Sequence, residues 1–413
     1  MTLTRREWLR VAAFIATTPV AGLFPAASQN GNDSSVTRIA NVIREYEEQG
    51  FHRTATRADE VSGDWLARQV RQAGLIPALE PFPLMRVDLV TNALVFADRR
   101  IEGLALFDGA FTFASGVSGR LGTLETNSEI GLTETAVNAA ATGPLGEARR
   151  SNRHKAIIAV TRGVRAGLCP SNADSFVRPF GPPVLQVSSE DANWLTERTK
   201  DGIDVRVIAH VTRSSATANN VTAELRGTDP TLPPVVVMTP RSGWYACASE
   251  RGGGIACWLE IMRGLRKTRL KRSVLFVASS GHELGHLGID AYIDRRPGLV
   301  KNAAGWLHLG ANVGAATVLN NNLLQASDDQ LDARLTAAMT TTGLSIARRV
   351  PRANVPAGEA ETVHRGGGRY VSVIGGNALF HNPGDRGPQA VDPITIAKFS
   401  NAFVSVASAI ARE

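Results

Sequence analysis

The sequence is poor in cysteine and lysine, and it has no long apolar stretch after its first thirty residues. Three cysteines in 413 residues exclude a disulfide-dense scaffold, and their spacing fits no zinc knuckle. A disulfide between Cys247 and Cys257 stays open at this stage. Because no apolar run of about 18 residues follows the first thirty, a protein that crosses a membrane several times is excluded. We therefore expect a globular protein of roughly two to three domains.

The net charge of +7 comes mostly from arginine, since only six of the 45 basic residues are lysine. The densest basic run, residues 263–272, holds six bases and no acid. No aromatic residues are interleaved with it and no nucleic-acid motif accompanies it, which favours the solvated end of a helix over an anion-binding surface. The sequence thus predicts no nucleic-acid partner.

The first thirty residues have the three regions of an export signal. A basic start at Arg5 and Arg6 precedes an apolar stretch from Val11 to Phe24, and small residues follow at 26–28. The paired arginines resemble the twin-arginine export signal. We therefore predict a signal at residues 1–28, a periplasmic or secreted protein, and no stable membrane span once the signal is removed. The alternative is an arginine-rich amphipathic start that stays attached.

In the rest of the chain, the pattern of apolar residues changes twice. From about residue 81, short apolar runs between turns replace helical periodicity, and they end in a polar, linker-like segment at 214–219. Beyond residue 233, strands and helices alternate, which is typical of an α/β domain with a largely parallel sheet. We therefore predict one domain from residues 29–80 plus 217–413, with a β-rich insert at 81–216. The predicted strands are Ala156–Val160, Val184–Val187, Val205–Ile208, Val235–Thr239, Ser273–Ser279 and Val371–Ile374, and the predicted helices are Asp59–Gly74, Gly254–Lys267 and one that begins after Asp392.

The chemistry of such a domain is expected just after its strands, because ligands bind at the carboxyl ends of parallel strands. Directly after the predicted strand Ser273–Ser279 comes the string Gly-His-Glu-Leu-Gly-His-Leu-Gly at 281–288. Taken alone, His282, Glu283 and His286 match the zincin motif, which requires one continuous helix. The preceding strand and the three glycines in the string disfavour that helix. The sequence therefore favours a site at the end of a strand.

The string at 281–288 resembles the signature of the co-catalytic zinc aminopeptidases, a family that includes bacterial leucyl aminopeptidases, glutamate carboxypeptidase and the animal-type glutaminyl cyclases. The family's usual string is Gly-Glu-Glu-x-Gly-x-x-Gly. Residues 51–83, 235–239 and 380–385 are similar to other family segments, and residues 81–216 resemble the family's inserted protease-associated domain. The resemblance implies a mixed, mostly parallel sheet flanked by helices, with a β-rich insert. It also implies a peptide or a small aminoacyl compound as the partner.

The resemblance further implies one set of metal ligands. In the family, one zinc is held by a bridging Asp, by the second Glu of the string and by a His near the C-terminus. Those positions are Glu250, Glu283 and His381 in this sequence. One imidazole and two carboxylates are a normal ligand set for a catalytic zinc. The sequence therefore predicts zinc as the cofactor, with one ion at most.

Other family positions are substituted. The family's first metal-binding His is missing, because its motif falls on residues 240–242. A later Asp ligand falls on His308, which leaves too few ligands for a second zinc and makes His308 an auxiliary ligand. The general-base Glu falls on His282, whose neutral imidazole could take a proton from water or bind metal itself. His364 lies where the family contacts its substrate.

Three functions fit this set of residues. The leading hypothesis is an exported, metal-dependent hydrolase resembling zinc aminopeptidases, with His282 as the catalytic base. The first alternative is a catalytically inactive periplasmic protein that binds peptides or a partner on the same fold. The second is a single-zinc enzyme similar to glutaminyl cyclases. Convergence of Glu250, Glu283 and His381 to within about 2–2.2 Å of one point would favour the metal-dependent readings.

Overall fold

The structure is a computed structural model that describes residues 32–413. The export signal predicted at residues 1–28 lies outside the described residues. The helices are α1 (Asn32–Glu47), α2 (Arg57–Gln72), α3 (Gly143–Ser151), α4 (Ala192–Asp201), α5 (Gly253–Leu265), α6 (Leu287–Asp294), α7 (Leu299–Asn302), α8 (Asp329–Thr341), α9 (Ala360–Arg365) and α10 (Pro393–Arg412). The strands are β1 (Pro77–Val95), β2 (Arg100–Ala105), β3 (Val117–Thr123), β4 (Ile130–Ala136), β5 (Ala156–Arg162), β6 (Val184–Ser188), β7 (Asp204–Leu225), β8 (Val235–Pro240), β9 (Val274–Ser279), β10 (Gly305–Leu309), β11 (Leu323–Ala326), β12 (Arg348–Arg349) and β13 (Tyr370–Ile374).

The main sheet has the order β7-β9-β8-β10-β13-β11-β12. Its four central strands, β9, β8, β10 and β13, are parallel to one another. β7 pairs with β9 and β11 pairs with β13 in the antiparallel sense. The central strands are buried and rich in valine and leucine, as strands covered on both faces must be. The predicted α/β fold with a mixed, mostly parallel sheet is confirmed.

Helices cover the sheet, and α10 is the longest of those described. The N-cap residue of α10 is Asp392, whose carboxylate accepts a hydrogen bond from the Ile394 N–H. Among the described residues, α10 alone is long and apolar enough to cross a membrane by length and composition. Its Ile396, Phe399 and Phe403 side chains are buried, and the helix packs on α5, α8 and α1. These contacts make α10 a core helix.

The strands β1 and β7 are much longer than the sequence pattern predicts. They pair over their whole length as an antiparallel ribbon that extends out of the main sheet. The prediction of a linker at 214–219 is therefore wrong, because these residues are in the middle of β7. Their polar side chains are compatible with a strand because several of them remain exposed to solvent.

At its far end the ribbon joins a closed ring of strands. The pairings run β1-β2-β6-β5-β4-β3-β7 and return to β1. The ring has an apolar core of its own, which includes Ile158, Leu185 and Val207. The larger core also reaches into this part of the chain, through Leu104 and Phe107. The assignment of residues 81–216 to a protease-associated domain stays a prediction.

The three cysteines are all free thiols. Cys169, Cys247 and Cys257 are each buried, and none forms a disulfide. The pairing of Cys247 with Cys257 that the sequence left open is therefore not made.

Candidate active site

The carboxyl ends of the parallel strands border a cleft of about 750 Å³. The segments after β9, β10 and β13 line one part of it, and α9 lines another. Asn138, Asn172 and Asp174 reach the cleft from the ribbon-linked part of the chain. The cleft therefore lies where an α/β sheet is expected to bind its ligand.

His282 and His286 both line this cleft but do not share a helix. His282 begins a short 3₁₀ turn, and His286 has a left-handed backbone conformation just before α6. Their ring centroids are 5.1 Å apart. The geometry of the zincin motif is thus absent here, as the glycines around it indicated.

His282 belongs to a buried network centred on Glu359. Its Nδ1 lies 2.9 Å from one oxygen of Glu359, and Nε2 of His308 lies 3.2 Å from the other oxygen. The Nδ1 atom of His308 lies 2.8 Å from the Ser372 hydroxyl. One carboxylate therefore holds both imidazoles that replace acidic residues of the resembling family.

The protonation of this network follows from its burial. Burial, reinforced by the charge of Arg251, lowers the pKa of His282 to about 4. Burial alone would raise the pKa of Glu359, but the two imidazoles that contact it hold that pKa well below its usual value. At neutral pH we therefore expect a neutral His282. Its Nδ1–H donates to the Glu359 carboxylate, which can only accept, and Nε2 is left as the basic nitrogen.

Glu283 follows His282 but does not line the cleft. One carboxylate oxygen accepts a hydrogen bond of 2.6 Å from the Thr54 N–H, and the other accepts one of 2.7 Å from the Ser242 hydroxyl. The side chain is buried, and burial raises its pKa. Both oxygens that could bind a metal are thus engaged by the protein.

Glu250 and His381 lie side by side. Oε1 of Glu250 is 3.5 Å from Nε2 of His381 and 2.7 Å from Nη2 of Arg251. Burial alone would raise the pKa of Glu250, but the charge of Arg251 keeps it below its usual value. The other ring nitrogen of His381, Nδ1, is 2.5 Å from the Pro170 carbonyl oxygen. The position predicted to bridge metals is therefore an ion pair with an arginine.

Arg241 stands in the segment where the family's first metal-binding His is missing. Its guanidinium pairs with the Asp59 carboxylate at 2.8 Å and donates to the Asn219 carbonyl. The Ser280 hydroxyl donates to the same carboxylate. This buried pair ties the start of α2 to the end of β8.

A segment from the ribbon-linked part of the chain covers these buried groups. The Pro170 carbonyl contacts His381, and the Ala173 N–H donates to the Glu283 carbonyl at 2.8 Å. Residues 170–173 therefore stand between the predicted metal ligands and solvent. Of the five predicted catalytic or metal-binding residues, His282 alone lines the cleft, and the others are at most 1% exposed.

The comparison with solved structures fits this arrangement of strands. BSAP, a zinc aminopeptidase from Bacillus subtilis, superposes with a TM-score of 0.73 at 16% identity, over 91% of this chain and 93% of that chain. An aminopeptidase from Aneurinibacillus gives 0.66 at 17%, over 91% and 93%. A peptidase M28 precursor from Shewanella amazonensis gives 0.71 at 15%, over 92% and 96%.

This is the fold of the zinc aminopeptidases. No protein-family model and no curated protein matches the chain. The fold resemblance predicted from the string at 281–288 is therefore confirmed by structure, at sequence identities that reveal the fold alone.

The residues of this aminopeptidase fold do not fit a zinc ion as they are arranged here. Within residues 32–413, no group of three or more His, Cys, Asp or Glu side chains could hold a metal. Glu283 is bonded to Thr54 and Ser242, and Glu250 is paired with Arg251. The predicted set of Glu250, Glu283 and His381 is thus not assembled, and zinc stays a prediction of the sequence.

His364, the predicted substrate contact, is not among the residues that line the cleft. Its Nδ1 lies 3.1 Å from the Tyr370 hydroxyl. The same helix, α9, instead presents Glu361 and Arg365 to the cleft. The assignment of His364 to substrate binding stays a prediction.

Sequence reasoning missed Glu359 and Arg251. Glu359 precedes α9 in a segment without a motif, so no signal in one sequence points to it. Arg251 follows Glu250 directly, at the start of the glycine run 252–254. A basic residue directly after a proposed carboxylate ligand could have indicated that the two side chains form an ion pair.

Proposed function

We propose that this chain is a peptide-binding protein on the zinc-aminopeptidase fold that does not hydrolyse what it binds. The proposal is carried by the separation of the cleft from the family's metal positions. The cleft is open, whereas Glu250, Glu283, His308 and His381 are buried behind its wall and engaged by other protein groups. The names of the neighbouring structures support a peptide as the ligand.

The lining of the cleft supports the same class of ligand. Its asparagines, among them Asn138 and Asn172, carry both donors and acceptors that could pair with a peptide backbone. Asp174, Asp290 and Glu361 outnumber the single arginine in the lining. Such a surface suits a peptide with a free amino terminus or a basic side chain.

Asp174 is the best-placed partner for an ammonium group. Its carboxylate makes no hydrogen bond or ion pair within residues 32–413, unlike Asp290, which accepts from the Thr362 hydroxyl at 2.9 Å. Burial raises the pKa of Asp174 and the nearby charge of His286 opposes that rise. A cationic ligand would supply the pairing that the protein does not.

The test is a binding titration with a tetrapeptide that carries a fluorophore at its carboxyl end. We expect micromolar binding of the form with a free amino terminus, and about twofold to fivefold weaker binding after Asp174→Asn, because one exposed ion pair is lost. Fluorescence anisotropy gives the affinity. Mass spectrometry of the same mixture, after long incubation with zinc, shows whether the peptide stays intact.

The matched control is Asp98→Asn, the same change in the turn between β1 and β2, which does not line the cleft. It should leave the affinity unchanged. Release of the amino-terminal residue in proportion to protein concentration would show an active peptidase and contradict the proposal. Equal affinities for the free and the N-acetylated peptide would contradict the proposed pairing of Asp174 with the amino terminus.

A second candidate, a single-metal hydrolase, is favoured by one observation. Oε1 of Glu250 and Nε2 of His381 are buried 3.5 Å apart, and Nε2 has no hydrogen-bond partner in the described chain. Glu283 would be the third ligand of the set that the resemblance implies. A bound zinc supplies Lewis-acid chemistry, and His282 would be the nearest base. Zinc that co-purifies with the wild type and is lost after Glu283→Ala would favour this candidate.

We also propose export to the periplasm, on the basis of the pair Arg5 and Arg6. Replacing both with lysine should keep the chain in the cytoplasm, because the twin-arginine pathway reads the pair itself. Cell fractionation measures the outcome, and unchanged export would contradict the assignment.

A further inference from the structure

Arg251 lies in a single wide turn of π-helix, Ala248–Gly252, which leads into α5. Turns of this kind are rare and occur often at functional sites. The guanidinium is fully buried. Its Nε donates to the Ser242 carbonyl at 2.8 Å, and Nη2 is 2.7 Å from Oε1 of Glu250. The turn thus brings a cation to the carboxylate that the sequence resemblance assigns to a metal.

Nη2 of Arg251 and Oε1 of Glu250 face each other at 2.7 Å as an ion pair. Nη1 of Arg251 and Nε2 of His381 are buried and have no hydrogen-bond partner within residues 32–413. The two guanidinium nitrogens can only donate. The Glu250 oxygen can only accept. Nε2 of His381 is an acceptor as well, because Nδ1 must carry the proton that binds the Pro170 carbonyl.

This arrangement does not suit a metal ion. A divalent cation would engage only the two acceptors, Oε1 of Glu250 and Nε2 of His381. It would compete with Arg251 for the Glu250 oxygen and would face the positive charge of the guanidinium at close range.

We infer that Arg251 takes the place of the metal in this fold, as a cation built into the chain that balances Glu250. Another buried arginine, Arg241, shows the contrast. It is paired with Asp59 and Asn219 and has a single unpartnered nitrogen, Nε. Arg251 instead pairs with Glu250 through Nη2, and its Nη1 has no partner within residues 32–413.

The first test measures metal in the wild-type full chain, purified without chelators and then exposed to zinc, manganese or cobalt alone. We expect well below about 0.1 equivalent of bound metal and no rise in melting temperature, since a bound ion would stabilise the fold by mass action. About one equivalent of zinc that raises the melting temperature, and that is lost after Glu250→Gln, would overturn the inference.

The second test asks whether Arg251 balances Glu250. Arg251→Met leaves a buried, unpaired carboxylate and should lower the melting temperature sharply. The double variant Glu250→Gln/Arg251→Met carries no charge and should recover most of the loss. If Arg251→Met does not fold, recovery of a folded protein in the double variant still shows the coupling. A single variant as stable as the wild type, or a double variant no better than Arg251→Met, would overturn the inference.

The inference can fail independently of the proposed function. A metal-free protein that hydrolyses peptides would contradict the proposed function and leave the role of Arg251 standing. A zinc-loaded protein that binds peptides and leaves them intact would do the reverse.

Discussion

Buried histidines make the stability of the fold sensitive to acid, and His52 shows this most clearly. Its ring stacks on Tyr46 with centroids 3.8 Å apart, and Nδ1 lies 3.3 Å from the Tyr245 carbonyl. Burial lowers the pKa of His52 to about 3. Because the folded pKa lies below the unfolded value, the neutral form is favoured on folding. The stability that depends on it is present above about pH 6.5 and is lost as the pH falls toward 3.

We expect His52→Phe to reduce the acid sensitivity of the fold. Below pH 6.5 each buried neutral histidine costs about 1.4 kcal/mol of stability per pH unit, because the unfolded chain binds a proton that the folded chain does not. Phenylalanine keeps the ring against Tyr46 and removes the titration. Urea unfolding at pH 6.5, 6.0, 5.5 and 5.0 gives the slope for each protein. Parallel slopes for wild type and variant would contradict this reading.

The site residues also show how much of the site could be predicted from the sequence. Glu283 could be found from the string at 281–288, and Glu250, His308 and His381 from three further segments that resemble the family. Their hydrogen bonds could not be predicted, because Thr54 and Ser242 reach Glu283 from distant parts of the chain. Glu359 could not be predicted, because its role depends on contacts with His282 and His308 that only the fold brings together.

The element that positions the site most tightly is the start of α5. A Cβ built on Gly253 would clash with the backbone carbonyl of Val313, which cannot move aside as a flexible side chain could. This close approach brings the turn that carries Glu250 against the segment after β10. Glycine is therefore required there for contact with the neighbouring backbone.

Gly253→Ala should destabilise the protein by about 1–3 kcal/mol or more, despite the better helix propensity of alanine, because backbone must shift to admit the methyl group. Gly305→Ala is the matched control. Its added Cβ would have ordinary contacts, the nearest at 3.7 Å from Cδ1 of Ile410. Thermal unfolding compares the two variants. Equal melting temperatures would show that the contact with Val313 does not constrain α5.

Elements were predicted well where they are buried and poorly where they are exposed. The strands at 235–239, 273–279 and 371–374 correspond to β8, β9 and β13, because continuous apolar runs mark strands covered on both faces. β1 was missed because its prolines and exposed polar residues hide a strand pattern. Only four residues of the 22 in β7 were predicted, since the ribbon has little apolar periodicity.

At the scale of the whole molecule, the ring and the main sheet have separate apolar cores. Ile158 is fully buried in the ring core, and Val237, which belongs to β8 of the main sheet, is fully buried in the larger core. Leu104 and Phe107 join the ring region to the larger core. The two parts therefore share a boundary but are stabilised by different sets of side chains.

Ile158→Ala should cost about 2–5 kcal/mol of local stability, because it leaves a cavity in the ring core. Amide hydrogen exchange should then quicken in β3 to β6 more than in β8 and α5. Val237→Ala should give the opposite pattern. Exchange that quickens equally in both regions after either substitution would mean that the two cores unfold as one unit.

The outer edges of the main sheet limit association between copies of the chain. On one side, Pro77, Pro81 and Pro83 remove three N–H groups from β1, which pairs with β2 only from Ala93 onward. On the other side, β12 is only two residues long, and both are exposed arginines. Ring closure gives each of the strands β2 to β6 two neighbours. A second chain therefore finds no regular row of hydrogen-bonding groups at these places, and we expect little edge-to-edge association through them at high concentration.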